Sequence, residues 1–396
     1  MFSIYILWLL IFLSVLLLFK ILNLKKNYLI CLFITIFILF FINNLDLAMT
    51  AAVDGVKLVI VAILPTTFPF SVICNLLICY DGISLYSKIL GPLFCKPLGL
   101  SKNCSFPLSA SFLCGYPLGA KYCYDSYNLG YINRTEYEKL LNIATNAGPI
   151  FILGAIAIAM LNDIKLGYIL LIANYLSILI IGFFTTRKSS KSQSFIIQPK
   201  INNEVFGTNL KNSIDDALST TLNVGAFVIL FSVIIAIIKN SSSFTTFITF
   251  LENLINLPNG LLYNLLLGSI EFTNGCKLIS TSNLSIHLKL SLISFILSFS
   301  SLSVIGQVTS IISKSNPNMK KYILYKFIQG LISFFITFIC SNLLLKSYTV
   351  STKPIGNFLN LNIIYKLIFQ ISIFMIILLL LQIVYCTYKK LHSSKF

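Results

Sequence analysis

The sequence is short of charged residues. Only 10% of its 396 residues are Asp, Glu, Lys or Arg, whereas soluble domains carry about 25%. So few charges cannot cover the water-facing surface of a chain this long. Hydrophobic residues make up 57%, and they form blocks that reach the roughly 20 residues a helix needs to cross a bilayer. The short alternating segments of a membrane β-barrel are absent. The composition therefore predicts an all-α integral membrane protein.

The chain is also poor in residues that build metal sites and enzyme active sites. It has two histidines, His287 and His392, which lie far apart, and its ten cysteines form no CxxC pair. Most of the cysteines lie in apolar segments, where free Cys behaves as a small hydrophobe. The motifs GxSxG, HExxH and GxxxxGK are missing. We therefore expect no cofactor, no metal site and no enzymatic activity.

The few charges are unevenly distributed, with 29 basic and 12 acidic residues. In a membrane protein, basic residues collect in cytoplasmic loops and near anionic lipid. This explanation is simpler than nucleic-acid binding, so we predict a lipid bilayer and no nucleic acid as partner. The segment 187–211 contains Arg187, Lys188, Lys191 and Lys200, and we interpret it as a cytoplasmic linker between two halves.

The apolar blocks predict about nine transmembrane helices. Because no basic residue precedes Lys20, the first block is interpreted as a retained span and not as a signal peptide. The basic loops make span 51–79 run inward and span 213–238 run outward. The proposed spans are residues 1–19, 28–43, 51–79, 140–161, 166–186, 213–238, 290–313, 322–346 and 361–388.

Two further apolar regions, residues 84–123 and 242–281, are too broken for simple spans. The first contains four prolines and the glycines Gly115 and Gly119. Proline removes a backbone donor, and unpaired backbone groups cost several kcal/mol each in lipid. Such segments persist when they are buried in protein or line a wet cavity. We therefore predict re-entrant or discontinuous helices in both regions.

The two halves of the chain resemble each other. Val53-Asp54-Gly55 and Phe70-Ser71-Val72-Ile73 recur 161 positions later as Ile214-Asp215-Asp216 and Phe231-Ser232-Val233-Ile234. Gly119-Ala120-Lys121 recurs 156 positions later as Gly275-Cys276-Lys277. With the topology above, this predicts an inverted internal repeat, an architecture typical of secondary transporters. The predicted parts are a two-helix segment at 1–46, a first repeat at 47–186, the linker, a second repeat at 212–346, and a C-terminal helix with a basic tail at 347–396.

Polar residues at the broken segments are the candidate substrate site. Unwound backbone at Cys114–Lys121 and at Asn146–Pro149 would expose amides and carbonyls to a substrate. For the first segment, a lysine at the membrane surface is an equally simple interpretation; for the second, it is a structural kink. Glu271 either pairs with Lys277, accepts a proton, or lies at the surface. Asp54, Asp215 and Asp216 are interpreted as favourable acids at helix starts. The candidate binding residues are Gly115, Tyr116, Pro117, Gly119, Lys121, Asn146, Gly148, Pro149, Glu271, Asn274, Gly275, Lys277 and Gln307.

Gly115-Tyr-Pro-Leu-Gly-Ala-Lys121, followed by Thr145-Asn-Ala-Gly-Pro-Ile-Phe151, resembles the YlbJ family of sporulation integral membrane proteins. That family belongs to the nucleoside-recognition, or Gate, group. The resemblance covers about 47–346, and 51–79 and 213–238 would be the two Gate helices. It implies a role in spore cortex formation, in the mother-cell or forespore membrane, as a permease of a small molecule.

Two functions remain open at this point. A secondary transporter of a small polar solute predicts that Lys121, Asn146, Asn274 and Lys277 converge on one cavity. A non-transporting scaffold predicts instead a binding surface on the linker 187–211, where envelope or cortex proteins would dock. Further partners would be a second copy of the chain or other sporulation membrane proteins.

Overall fold

The computed structural model describes residues 26–186 and 205–345. The predicted spans 1–19 and 361–388 lie outside these ranges, as does most of the linker 187–211, on which the scaffold hypothesis depends. The described part is 85% helical and contains no strand. The predicted all-α class is thus confirmed for these residues.

The first half begins with long helices and continues with shorter ones. A π-helical stretch, Val59–Ile63, joins the second and third helices into one continuous rod. A second π-helix, Phe151–Met160, precedes the last helix of this half. The α-helices are α1 Lys26–Asn43, α2 Leu45–Leu58, α3 Leu64–Cys79, α4 Gly82–Ile89, α5 Gly91–Phe94, α6 Ser105–Cys114, α7 Leu118–Asn128, α8 Arg134–Ile143 and α9 Ile164–Thr186.

The second half has the same order of a long helix, a helical hairpin, an interrupted helix and a final full-length helix. Its first helix begins at Phe206, seven residues before the predicted start of that span. The α-helices are α10 Phe206–Asn240, α11 Ser242–Leu254, α12 Leu261–Ile270, α13 Phe272–Thr281, α14 Ile286–Phe299, α15 Ser301–Ile311 and α16 Met319–Leu344.

Four stretches of the described chain are long and apolar enough to cross a membrane: α9, α10, α14 with α15, and α16. Two bent pairs raise this number to six if each is counted as one span. One pair joins α1 to 45–61 at 97°, and the other joins α3 to α4 at 90°. The prediction placed seven spans in these ranges, so the count of nine is not confirmed.

Two predicted spans are interrupted in the structure. In the predicted span 140–161, α8 ends at Ile143 and residues 144–148 are non-helical, because Gly148 disfavours helix and Pro149 lacks the backbone N–H that a continuous helix needs. In the predicted span 290–313, α14 ends at Ser300, where φ is +74°, and Ser301 has φ of +51°. Both are left-handed backbone conformations that end a regular helix. A single simple span is therefore wrong for 140–161, whereas 286–311 is interrupted but still long and apolar enough to cross a membrane as one span.

The rod formed by α2 and α3 packs against α10 in antiparallel orientation. Asn240 donates to Asn44 at 3.0 Å at one end of the pair. At the other end Asn75 donates to the carbonyl of Ser213 at 3.2 Å. Between them, Gly55 lies against the backbone of Ile229. As residue numbers rise along the first rod, those of the contacting residues fall along α10, so the two helices run in opposite directions.

Candidate functional site

Two helical hairpins lie at matching places in the two halves. The arms α6 and α7 meet at Gly115–Pro117, and the arms α12 and α13 meet at Glu271. The repeated glycines Gly119 and Gly275 lie where the two arms of their hairpins touch. A Cβ on Gly119 would be 2.9 Å from Cβ of Ser111, and one on Gly275 would be 2.1 Å from Cα of Gly268. The predicted interruptions in 84–123 and 242–281 are therefore present.

The tips of the two hairpins meet each other. The Tyr116 ring packs edge-on against Phe272 with centroids 5.2 Å apart. Phe151, at the start of the π-helix, packs against the same Phe272 ring at 5.0 Å. The hydroxyl oxygen of Tyr116 is buried and has no hydrogen-bond partner among the described residues. An apolar aromatic contact thus joins the halves, with one unsatisfied polar atom beside it.

The first hairpin tip also lies against the break between α8 and the π-helix. The backbone N–H of Tyr116 donates to the carbonyl of Asn146 at 2.7 Å. Gly115 has φ of +77°, and a Cβ there would lie 2.5 Å from the amide nitrogen of Gly148. Only glycine permits this close approach of two backbones. The predicted site residues Gly115, Tyr116, Asn146 and Gly148 are therefore brought together.

A buried polar network fills this break, and its centre is a residue that sequence reasoning missed. Lys326 of α16 is fully buried, and its ammonium donates to the carbonyl of Thr145, to Asn146 Oδ1 at 3.2 Å and to Gln329 Oε1 at 2.8 Å. The hydroxyl of Tyr322 donates to Thr145 Oγ1 at 3.0 Å. We call these five residues the helix-break network.

The network continues into α9 and α14. Gln329 Nε2 donates to Ser177 Oγ at 3.3 Å, and Ser298 Oγ donates to Asn174 Oδ1 at 3.1 Å. Asn174 in turn donates to the carbonyl of Ala147 at 3.5 Å. Lys326 of α16 and Asn174 of α9 thus donate to backbone carbonyls at the break, and Ser298 of α14 donates to Asn174. A lysine and a glutamine three residues apart inside an apolar span were the sequence signal, since buried ionisable residues in such spans are rare and usually functional.

Lys121 lies in a different cluster, which joins three elements. Its ammonium contacts Asn75 Oδ1 of α3 at 2.9 Å, Asp125 Oδ2 of α7 at 3.0 Å and Asp216 Oδ2 of α10 at 2.7 Å. Burial disfavours the charged form of the lysine, and the two carboxylates compensate for this cost. We call these four residues the Lys121 cluster. Lys121 is 6% exposed and is not a surface lysine.

The interpretation of Asp216 as an acid at a helix start is wrong. The helix α10 begins at Phe206, so Asp216 lies well inside it and serves as an ion-pair partner. Asp54 likewise lies inside its helix, because α2 begins at Leu45, and it pairs with Lys57 at 3.4 Å on an exposed surface. Both helices begin several residues before their predicted starts at 51 and 213, so these acids do not lie at helix starts.

In the second hairpin the predicted site residues do not form a matching cluster. Glu271 is buried and accepts from the backbone N–H groups of Thr273 at 2.9 Å and Asn274 at 2.8 Å, so it caps α13. Lys277 is exposed. Gln307 is buried in α15, where its side chain lies 3.5 Å from Ser303.

The repeated Gly-x-Lys motif therefore has different surroundings in the two halves. Lys121 and Asn146 contact different partners, and Lys277 is exposed. The predicted convergence of these three residues with Asn274 on one cavity is therefore not observed. Pro117 and Pro149 are at the two breaks that meet. Among the described residues, no group of three or more His, Cys, Asp or Glu side chains is placed to hold a metal ion.

The fold is that of a multi-pass helical membrane protein. Its apolar helices pack closely, and it contains two hairpins and interrupted helices. Residues 60–136, which include the first hairpin, match the family model described as Gate, nucleoside recognition. The chain is also similar to the sporulation integral membrane protein YlbJ of Bacillus subtilis (strain 168), with 27% identity over 312 residues that cover 73% of this chain and 76% of the relative. No solved structure gives a significant match. The predicted resemblance is thereby confirmed.

Proposed function

We propose that the protein acts in sporulation by transporting a small polar solute across a membrane. One observation carries the proposal: two hairpin tips meet beside an interrupted helix whose break holds buried polar side chains. In lipid, such breaks persist only where protein or a wet cavity satisfies the freed backbone groups. In secondary transporters, interrupted helices at the interface of two repeats form the substrate site.

The packing of the halves supports an inverted repeat, with its axis in the membrane plane. Both halves have the same order of elements, and their first long helices pack in opposite directions. A topology experiment tests this arrangement. Reporters inserted after Tyr80 and after Asn240 are expected on opposite sides of the membrane, and the same side for both would contradict the inverted repeat.

The place of action is inferred from the named relative. We propose that the chain works in the mother-cell or forespore membrane of a spore-forming bacterium, at the stage of cortex formation. The test is expression in a Bacillus subtilis strain that lacks its own relative. Heat-resistant spores should be restored by the intact chain, and failure despite normal membrane expression would count against the sporulation role.

Transport itself is tested with purified protein in proteoliposomes. The solutes are nucleosides, amino acids, dipicolinate and divalent metal ions, each compared with protein-free vesicles. We expect uptake of one class and a large loss in Asn146→Ala. Uptake should be unchanged in the control Lys57→Ala, which alters an exposed ion pair outside the helix-break network. Absence of uptake for every solute, with correctly folded protein, would argue against a permease.

A further inference from the structure

The ammonium of Lys326 has an unusual environment for a buried charge. Its three contacts are oxygen acceptors, and they match the three protons of an ammonium. Within the described ranges, no Asp or Glu forms an ion pair with it. The charge of Lys326 is therefore stabilised by the dipoles of neutral carbonyl and amide oxygens, whereas the charge of Lys121 is neutralised by two carboxylates.

Neighbouring hydrogen bonds fix the direction of both side-chain amides. Asn146 Nδ2 donates to the carbonyl of Ile143, so its Oδ1 faces Lys326. Gln329 Nε2 donates to Asn146 Oδ1 at 2.9 Å and to Ser177 Oγ at 3.3 Å, so its Oε1 also faces Lys326. The three oxygens converge because of this network, and their orientation does not depend on the lysine alone.

Converging neutral oxygens are the ligands of an alkali cation. Rings of carbonyl oxygens replace the hydration shell of K⁺ in channel filters. Ca²⁺ and Mg²⁺ instead draw on carboxylates, which this site lacks. The backbone carbonyl of Thr145 is available because the helix is broken there, as is typical of cation sites in transporters.

We propose that the ammonium of Lys326 occupies a monovalent-cation site as a tethered cation. The site consists of the carbonyl of Thr145, Asn146 Oδ1 and Gln329 Oε1. The wild-type protein has no need of Na⁺ or K⁺ here, because the lysine supplies the charge. Shortening the side chain in Lys326→Ala leaves the oxygens in place and opens the site to a free alkali cation.

One consequence rests on the proposed function. If the protein transports a solute, uptake by the wild type requires no Na⁺ or K⁺ gradient at this site. Uptake by Lys326→Ala becomes dependent on one of these ions. The binding site itself is testable without transport, so failure of the uptake assay and failure of the cation site are distinguishable.

The experiment measures the thermal unfolding of the purified full-length protein in detergent. A thiol-reactive dye reports unfolding, since Cys95, Cys104, Cys123 and Cys276 are buried and free. The salts are NaCl, KCl and choline chloride at equal ionic strength. Lys326→Ala should show a saturable rise in Tm in NaCl or KCl over choline chloride. At ten times the Kd, the linked stabilisation is about 1.4 kcal/mol.

Four control proteins are compared with Lys326→Ala. The wild type and Lys321→Ala, which alters an exposed lysine on the same helix, should show equal Tm in the three salts. Lys326→Met has a similar shape without charge, fills the site, and should stay insensitive to salt. Adding Gln329→Leu to Lys326→Ala removes one ligand and should abolish the rise.

Every other pattern contradicts the proposal. An equal response in wild type and Lys326→Ala would place the cation elsewhere. No difference between alkali salts and choline chloride in Lys326→Ala would mean that the oxygens do not form a site. A Lys326→Ala protein that cannot be purified folded in any of the three salts also overturns the proposal, because a free cation is expected to restore its stability.

Discussion

Replacing Lys121 with methionine should destabilise the protein. The interaction of Lys121 with Asp125 should contribute more to this loss than its interaction with Asp216. Removing one member of a buried ion pair costs about 3–5 kcal/mol, whereas exposed pairs contribute about 0.2–1 kcal/mol. The side chain of Asp125 is 26% exposed and that of Asp216 is 55% exposed. We therefore expect a coupling energy of about 2 kcal/mol for Lys121 with Asp125 and at most about 1 kcal/mol for Lys121 with Asp216.

The assay is a pair of double-mutant cycles on the free energy of unfolding. Each cycle combines Lys121→Met with Asp125→Asn or Asp216→Asn, and unfolding in denaturant is followed by thiol labelling. A third cycle on the exposed pair of Asp54 and Lys57 provides the reference and should give about 0.5 kcal/mol or less. Coupling to Asp216 larger than that to Asp125, or both equal to the reference, would refute the argument from burial.

Three further substitutions test the hairpins and their tips. Gly119→Ala should lower the Tm strongly, because its Cβ would be 1.8 Å from the carbonyl oxygen of Ala144, whereas the control Gly154→Ala meets nothing within 4 Å and should be neutral. Glu271→Ala removes the cap of α13 and should cost about 1–2 kcal/mol in an unfolding titration. Tyr116→Phe removes a buried hydroxyl without a partner and should leave the Tm equal or raise it; a large loss would reveal an unseen partner.

The breaks in the helices could be predicted where the sequence marks them locally. Gly115 and Pro117 interrupt the first hairpin as expected, and Glu271 ends the arm of the second. Pro149 marks a disturbance in the sequence, but the apolar content of 140–161 favours a continuous helix, and the prediction of one span there is wrong. The break at Ser300 has no proline or glycine beside it to mark it in the sequence.

The partners of the polar residues were harder to predict because they come from distant parts of the chain. Lys121 was found through its motif, but its contact with Asp216 joins residues 95 positions apart. The helix-break network joins Asn146 to Lys326 and Gln329, more than 170 positions away. A single sequence holds no signal for such pairs beyond the unusual presence of lysine and glutamine in an apolar helix.

The two buried lysines have different electrostatic surroundings. We therefore expect Lys121 to stabilise the fold and Lys326 to belong to the functional site. Lys121 is neutralised by two acids and links α3, α7 and α10, so its loss should reduce function in proportion to the loss of folded protein. Lys326 is surrounded by neutral oxygens at the break beside the hairpin tip, so its loss should change the response to salt. Transport that depends on salt in Lys326→Ala but not in Lys121→Met would assign the transport chemistry to the helix break and a structural role to the hairpin of α6 and α7.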